Sequence, residues 1–217
     1  MIEVVAVNVG VPRLLGQRQG ANVYSGIAKE PVAPGKRLWL SLGNLSGDGQ
    51  ADLSVHGGPD KAVYAYPSDH LPLWEAELGE PLGAAPFGEN LSTRGVTEGD
   101  VYIGDRWRWD EAVLEICQPR WPCFKLALHR RRADIQARMR STGRTGWYLR
   151  VIEPGEVTVG SPMELIGRDP GRLSVADAHL AMADRQMDNR GRIEALASHG
   201  PLAEEWRQPL RERLALA

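Results

Sequence analysis

Ala112-Val113-Leu114-Glu115-Ile116-Cys117-Gln118-Pro119-Arg120-Trp121-Pro122-Cys123-Phe124-Lys125-Leu126 holds two kinds of element separated by a pair of prolines. Ala112 to Gln118 is short, apolar and partly β-branched, the composition of a strand in a sheet or barrel. Pro119 and Pro122 stop it. Phe124 to His129 is then rich in helix formers. Pro122 suits the first turn of a helix, where a missing N–H is not needed, and this places Cys123 in that turn. A thiol there, between Arg120 and Lys125, is expected to ionise below its ordinary pKa of about 8.5 and to act as a nucleophile or soft-metal ligand. The competing reading is a buried cysteine serving as a small hydrophobe. Cys117, inside the apolar strand, takes that second reading.

Outward from this strand–helix unit, short strands are predicted over residues 4–9, 23–29, 37–42 and 148–152, with two more within 155–166. Val101-Tyr102-Ile103 and Arg106-Trp107-Arg108-Trp109 form a further pair, linked by the hairpin-type dipeptide Gly104-Asp105, with Trp107 and Trp109 on one buried face. Arg13 to Gly20 is polar and glycine-punctuated, hence a loop. Ser68 to Leu78 is a helix opened by a Ser or Asp cap, with Leu71, Trp74 and Leu78 at helical spacing. His129 to Met139 is a basic helix whose arginines read as a solvated face rather than a nucleic-acid contact. Many short strands with glycine turns predict a mainly β fold, a barrel with peripheral helices over residues 1–167. Arg168-Asp169-Pro170-Gly171 marks a boundary. Residues 168–217 then form a small three-helix domain, started by Ser174 and Asp177 and too small for a large core of its own, so it packs on the barrel or on a partner.

Two further segments carry charge beside glycine. Residues 43–52 must turn rather than ladder, and they lead into His56-Gly57-Gly58-Pro59-Asp60-Lys61. Paired glycines let backbone N–H groups approach a ligand, and Lys61 supplies charge for an anion such as phosphate. A tight turn between two strands explains the same residues. Lys29 stands alone and by itself reads as a solvated surface lysine.

The 217 residues include 26 basic and 28 acidic side chains, a net charge of −2, which argues against bulk binding to a nucleic acid polymer or a membrane surface. Two cysteines fit a reducing compartment. The start lacks a basic n-region and cleavage site, and no apolar stretch approaches the roughly 18 residues of a membrane span. A cytoplasmic protein is the expectation.

Five stretches carry a resemblance: Ser25-Gly26-Ile27-Ala28-Lys29; Gly47-Asp48 through His56-Gly57-Gly58-Pro59-Asp60-Lys61-Ala62; Phe87 to Thr93; Gln118-Pro119-Arg120 with Pro122-Cys123 and Lys125-Leu126; and Thr142-Gly143-Arg144 with Gly146-Trp147. On these the chain closely resembles the YiiM-like branch of the MOSC family, named for the C-terminal domain of molybdenum cofactor sulfurase. The resemblance implies a MOSC β-barrel that binds a molybdopterin-type molybdenum cofactor, with Cys123 matching the cysteine that ligates molybdenum. Lys29, Lys61, Arg120, Lys125 and Arg144 become candidates to hold its phosphate, and His56, Gly57 and Asn90 to contact the pterin or metal. One thiolate cannot hold zinc, whereas a dithiolene brings two sulfurs of its own. The resemblance further implies reduction of N-hydroxylated compounds such as hydroxylamino-purines to amines, a detoxification, with a flavoprotein reductase as electron donor and a homodimer. Two alternatives stay open: a sulfur carrier with a persulfide on Cys123, and a cofactor-binding module without turnover.

Overall fold

The computed structural model describes residues 1–52, 57–184 and 186–216. Twelve strands are seen among them: β1 (Glu3–Val9), β2 (Arg13–Arg18), β3 (Ala21–Ser25), β4 (Glu30–Pro31), β5 (Arg37–Leu40), β6 (Val63–Pro67), β7 (Leu91–Arg94), β8 (Arg106–Trp109), β9 (Ala112–Pro119), β10 (Trp147–Glu153), β11 (Gly155–Thr158) and β12 (Glu164–Gly167). The helices are α1 (Leu71–Leu78), α2 (Phe124–Arg130), α3 (Ile135–Thr142), α4 (Val175–Ala183), α5 (Arg190–Ser198) and α6 (Glu204–Leu216).

Eight strands make one sheet in the order β12-β8-β9-β10-β6-β7-β1-β4. Only β6 and β7 run parallel, because α1 carries the chain between them. The sheet curls until Ile2, ahead of β1, bridges Met163, ahead of β12, through reciprocal N–H to carbonyl hydrogen bonds of 2.9 Å. This joins the two ends of the sheet into the barrel that the pattern of short strands predicts, and removes exposed edge at that point. β11 pairs with β5 as a separate two-stranded sheet.

Every residue of β9 is buried, as its unbroken apolar run implies for a strand covered on both faces. One face points into the barrel with Leu114 and Ile116, each of which contributes about 1.5–3 kcal/mol by leaving water. The backbone N–H of Ala203, just ahead of α6, donates to the carbonyl of Cys117 at 2.9 Å. Val175, Ala178, Ile193, Leu196, Trp206 and Leu210 from α4, α5 and α6 belong to the same buried cluster as the barrel residues. The helices after residue 167 therefore share the barrel's core. A second cluster lies under α1, α2 and α3 and is built from Tyr66, Trp74, Phe87, Leu126, Ile135 and Met139.

Four local expectations are corrected. Arg13 to Gly20 is not a loop: β2 pairs with β3 in an exposed ribbon turned by Gln19 and Gly20, both with positive φ, and its polarity reflects two solvated faces. Val101 to Ile103 is not a hairpin strand. The Asp105 carboxylate accepts the Tyr102 N–H at 3.2 Å and bends the chain there, so β8 instead pairs with β9 through the turn at Asp110. α1 has no side-chain cap and is preceded by a 3-10 turn over Ser68–His70. The run His129 to Met139 is split, because Arg131 adopts a left-handed conformation (φ 52°) that ends α2 before α3 begins. By contrast, α4 opens on the expected Ser174–Asp177 pair, a complete capping box.

Candidate functional site

The carboxyl end of β9, the start of α2 and the glycine-rich segments around residues 26, 49 and 88 meet around one open cleft. Its empty space is about 680 Å³, solvent-side mouth included. Cys123 is the N-cap of α2, just ahead of the first turn in which the sequence reading placed it, with extended φ and ψ of −108° and 172°. Pro122 stands outside the helix. Cys123 is half-buried, and its carbonyl accepts the N–H of Leu126 at 3.0 Å. An ionised sulfur there attracts the Arg120 guanidinium. Arg120 is buried in the same lining, held by its backbone N–H on the Gly146 carbonyl (3.2 Å) and by its guanidinium over the Tyr64 ring, 4.8 Å from the centroid. Cys117 is different. It has no exposed surface, lies 3.2 Å from the Asp60 carbonyl, and burial pushes its thiol well up, so it is inert core as expected.

Six of the nine residues singled out from the sequence line this cleft: Cys123, Lys29, Lys61, Asn90, Arg120 and Lys125. Lys29 is no solvated surface lysine. Its side chain is 8% exposed and pairs with Asp48, itself 1% exposed. Burial lowers the lysine's pKa, and the Asp48 carboxylate opposes that. Asp48 also accepts the Gly10 N–H at 2.8 Å and an Nδ2–H of Asn90 at 2.9 Å. Asn90 in turn accepts the Tyr64 N–H at 3.1 Å, so its amide braces β6 against the Asp48 loop. Lys61 reaches Glu205 of α6 at 2.7 Å, which brings the last helix to the rim of the cleft. His56 lies outside the described residues. Gly57 is described but does not line the cleft. Arg144 is also elsewhere: it pairs with Glu77 at 2.6 Å, lies over the Trp74 ring, and borders a second cavity with His70, Glu98 and His179.

The structure adds residues that sequence reasoning missed as site members, namely Asp48, Tyr64, Tyr148, Trp121 and three glycines. Gly26 and Gly49 touch backbone to backbone: a Cβ on Gly26 would stand 2.1 Å from the Gly49 carbonyl oxygen. Gly88, at φ 78°, leaves room for Ile27 in the same wall. Only the five matching stretches hinted at Asp48 and the glycines, because their partners lie tens of residues away.

Chemically, the cleft offers one accessible thiol, four cations against one carboxylate in its lining, and a wall of exposed backbone. No group of three or more His, Cys, Asp or Glu able to hold a metal by themselves occurs among the described residues. A cleft lined, among the described residues, by one half-buried thiol and four cations against one carboxylate suits an anionic guest. Residues 52–164 match the MOSC domain family, and the chain belongs to that family. It is 42% identical over 192 residues to Protein YiiM of Escherichia coli (strain K12), covering 87% of this chain and 84% of that one. It is 34% identical over 154 residues to a reductase of Gibberella moniliformis (strain M3125 / FGSC 7600), spanning 69% of this chain but 27% of that much longer protein. The crystal structure of YiiM from Geobacillus stearothermophilus superposes with a TM-score of 0.82 at 33% identity, covering 99% of this chain and all of the other.

Proposed function

We propose that this protein is a molybdenum-cofactor-dependent reductase that converts N-hydroxylated compounds, hydroxylamino-purines among them, to amines. The observation that carries the reading is the half-buried Cys123 thiol opening on a cleft walled by Lys29, Lys61, Arg120 and Lys125. These residues fit the group. Without a self-sufficient set of metal donors among the described residues, a metal here must arrive with ligands of its own, and a pterin dithiolene does. Lys61, Lys125 and Arg120 would hold its phosphate, and Cys123 would supply one more sulfur. When bound, the group supplies the two-electron chemistry that takes oxygen from nitrogen, so that R–NHOH, two electrons and two protons give R–NH2 and water.

The chain's own residues bind and orient. Arg120, held by the Gly146 carbonyl and the Tyr64 ring, supplies a fixed positive charge that would attract the Cys123 sulfur when it serves as a ligand. The Lys29–Asp48 pair sets the angle at which the residue 26 and residue 49 segments meet, and so the width of the opening. Tyr64 and Tyr148 remain neutral, since burial raises both phenols, and serve as hydrogen-bonding walls rather than bases. Electrons come from a flavoprotein reductase, and the reaction takes place in the cytoplasm. The reductase named above, similar over 154 residues, supports a redox role.

The test is Cys123→Ala, made in a molybdenum-sufficient host. The variant is expected to fold and melt like the parent while losing bound molybdenum and amine formation together; full retention of both would overturn the reading. A gain of one sulfur in mass at Cys123, in parent protein lacking molybdenum, would favour a sulfur carrier instead.

A further inference from the structure

The chain has seven tryptophans, and Trp74, Trp107, Trp109, Trp147 and Trp206 are buried. Trp39 and Trp121 are not, and of these only Trp121 lines the cleft, with 41% of its surface exposed. An indole left open inside a charged cleft is placed to meet whatever guest the cleft takes. Its surroundings keep it rigid. Pro122 follows it directly and restricts its backbone. His179 of α4 lies tilted against its ring at 5.6 Å, Trp206 of α6 meets it edge-on at 5.9 Å, and the Arg140 guanidinium stands 5.8 Å from its centroid. His179 and Trp206 are 2% and 3% exposed. The His179 ring is locked in turn by an Nε2 contact of 2.7 Å to the Arg140 carbonyl. Among the described residues the other aromatic side chains in the lining, Tyr64 and Tyr148, lie packed against each other at 5.2 Å. Trp121 is therefore the exposed ring of the described lining, two residues ahead of the thiol. That spacing is on the order of 7 Å between backbones, about the reach from the centre of a fused ring to an exocyclic substituent and its reaction partner.

We propose that Trp121 is a stacking platform that selects planar aromatic N-hydroxy compounds over small aliphatic ones, and that α4 and α6 hold it in place. Substrate discrimination would then be the contribution of the C-terminal helices to a site whose chemistry sits on the barrel. The proposal rests on the reading of the Cys123 cleft as the reducing site. A stack on one aromatic side chain is worth about tenfold in affinity or more.

The experiment measures adenine binding to the cofactor-loaded protein by calorimetry, together with kcat/KM for 6-N-hydroxylaminopurine and for hydroxylamine. Parent, Trp121→Phe and Trp121→Ala are compared, with molybdenum content as a control. Trp121→Ala is expected to weaken adenine about tenfold and to lower the purine-to-hydroxylamine ratio about tenfold through KM, at unchanged molybdenum content, while Trp121→Phe keeps most of both. Unchanged adenine affinity, an equal loss for both substrates, or loss of molybdenum with the ratio preserved would overturn it. Adenine binding that depends on Trp121 in a protein that reduces neither compound would uphold the platform and sink the proposed reductase activity.

Discussion

Asp48 holds three things at once: the Lys29 ammonium, the Gly10 N–H and the Asn90 amide. Asp48→Ala leaves Lys29 charged, nearly buried and without its carboxylate, so urea denaturation is expected to show a loss of about 3–5 kcal/mol; a loss under 1 kcal/mol would mean water replaces the partner. Two other buried groups set opposing pH trends. Burial raises the Glu89 carboxyl to about 7 from 4.5, in spite of the Phe87 N–H it accepts. Because its folded pKa is the higher one, the stability it contributes is complete below about 4.5 and is lost as pH rises through 7, about 3 kcal/mol in all. His129 has the opposite sign. Burial, then Arg130, Arg120 and Arg13, hold it at about 4 against 6.5, so the stability linked to it is absent below pH 4 and gained by pH 6.5. Unfolding free energies at several pH values are expected to show Glu89→Gln rising from pH 4 to 6.5 and His129→Asn falling toward pH 8. Parallel profiles for parent and Glu89→Gln would refute the assignment. At this scale the sequence was informative where the chemistry is local. Cys123, Arg120 and Lys125 lie within six residues, and Lys61 follows two glycines. Asp48 and Tyr64 stayed hidden because each acts through a partner far along the chain, 38 residues away for Gly10 and Asp48 and 56 for Tyr64 and Arg120.

Among elements, the cleft depends on turns whose glycines touch other backbone. Gly26→Ala would drive a methyl group to 2.1 Å from the Gly49 carbonyl and 2.9 Å from that of Gly10. The segments must separate, so a destabilisation of about 1–3 kcal/mol and a measurable loss of affinity for inorganic phosphate are expected from calorimetry. An unchanged melting temperature would show that the walls move freely. Strands with a buried face were legible, as β9 and the alternating β8 demonstrate. β2 was not, since it buries almost nothing and its polar residues look like any loop. The start of α2 was placed too early because Pro122, a residue that suits the first turn, lies ahead of the Cys123 N-cap instead. The split between α2 and α3 rests on a left-handed arginine, a conformation that residue type does not announce.

For the molecule as a whole, the helices beyond residue 167 are bound to the barrel by a common core and by the hydrogen bond from Ala203 to Cys117. A fragment ending at Gly167 would expose the covered face of β9, so it is expected to aggregate or to lose its sharp thermal transition in circular dichroism; a soluble fragment with a cooperative melt would show that the barrel stands alone. The barrel as a class was legible from strand count and turn spacing, whereas its strand order, with a parallel β6–β7 pair amid antiparallel neighbours, has no signature in periodicity. The bridge between Ile2 and Met163 has its own consequence for the order of assembly. Ile2 must wait for Met163, made 161 positions later, which at roughly 5–20 residues per second is a delay of about 8–30 s before the curl can close. During that interval the sheet stays open at this seam, so the growing chain is a natural client for a holding chaperone until Met163 emerges.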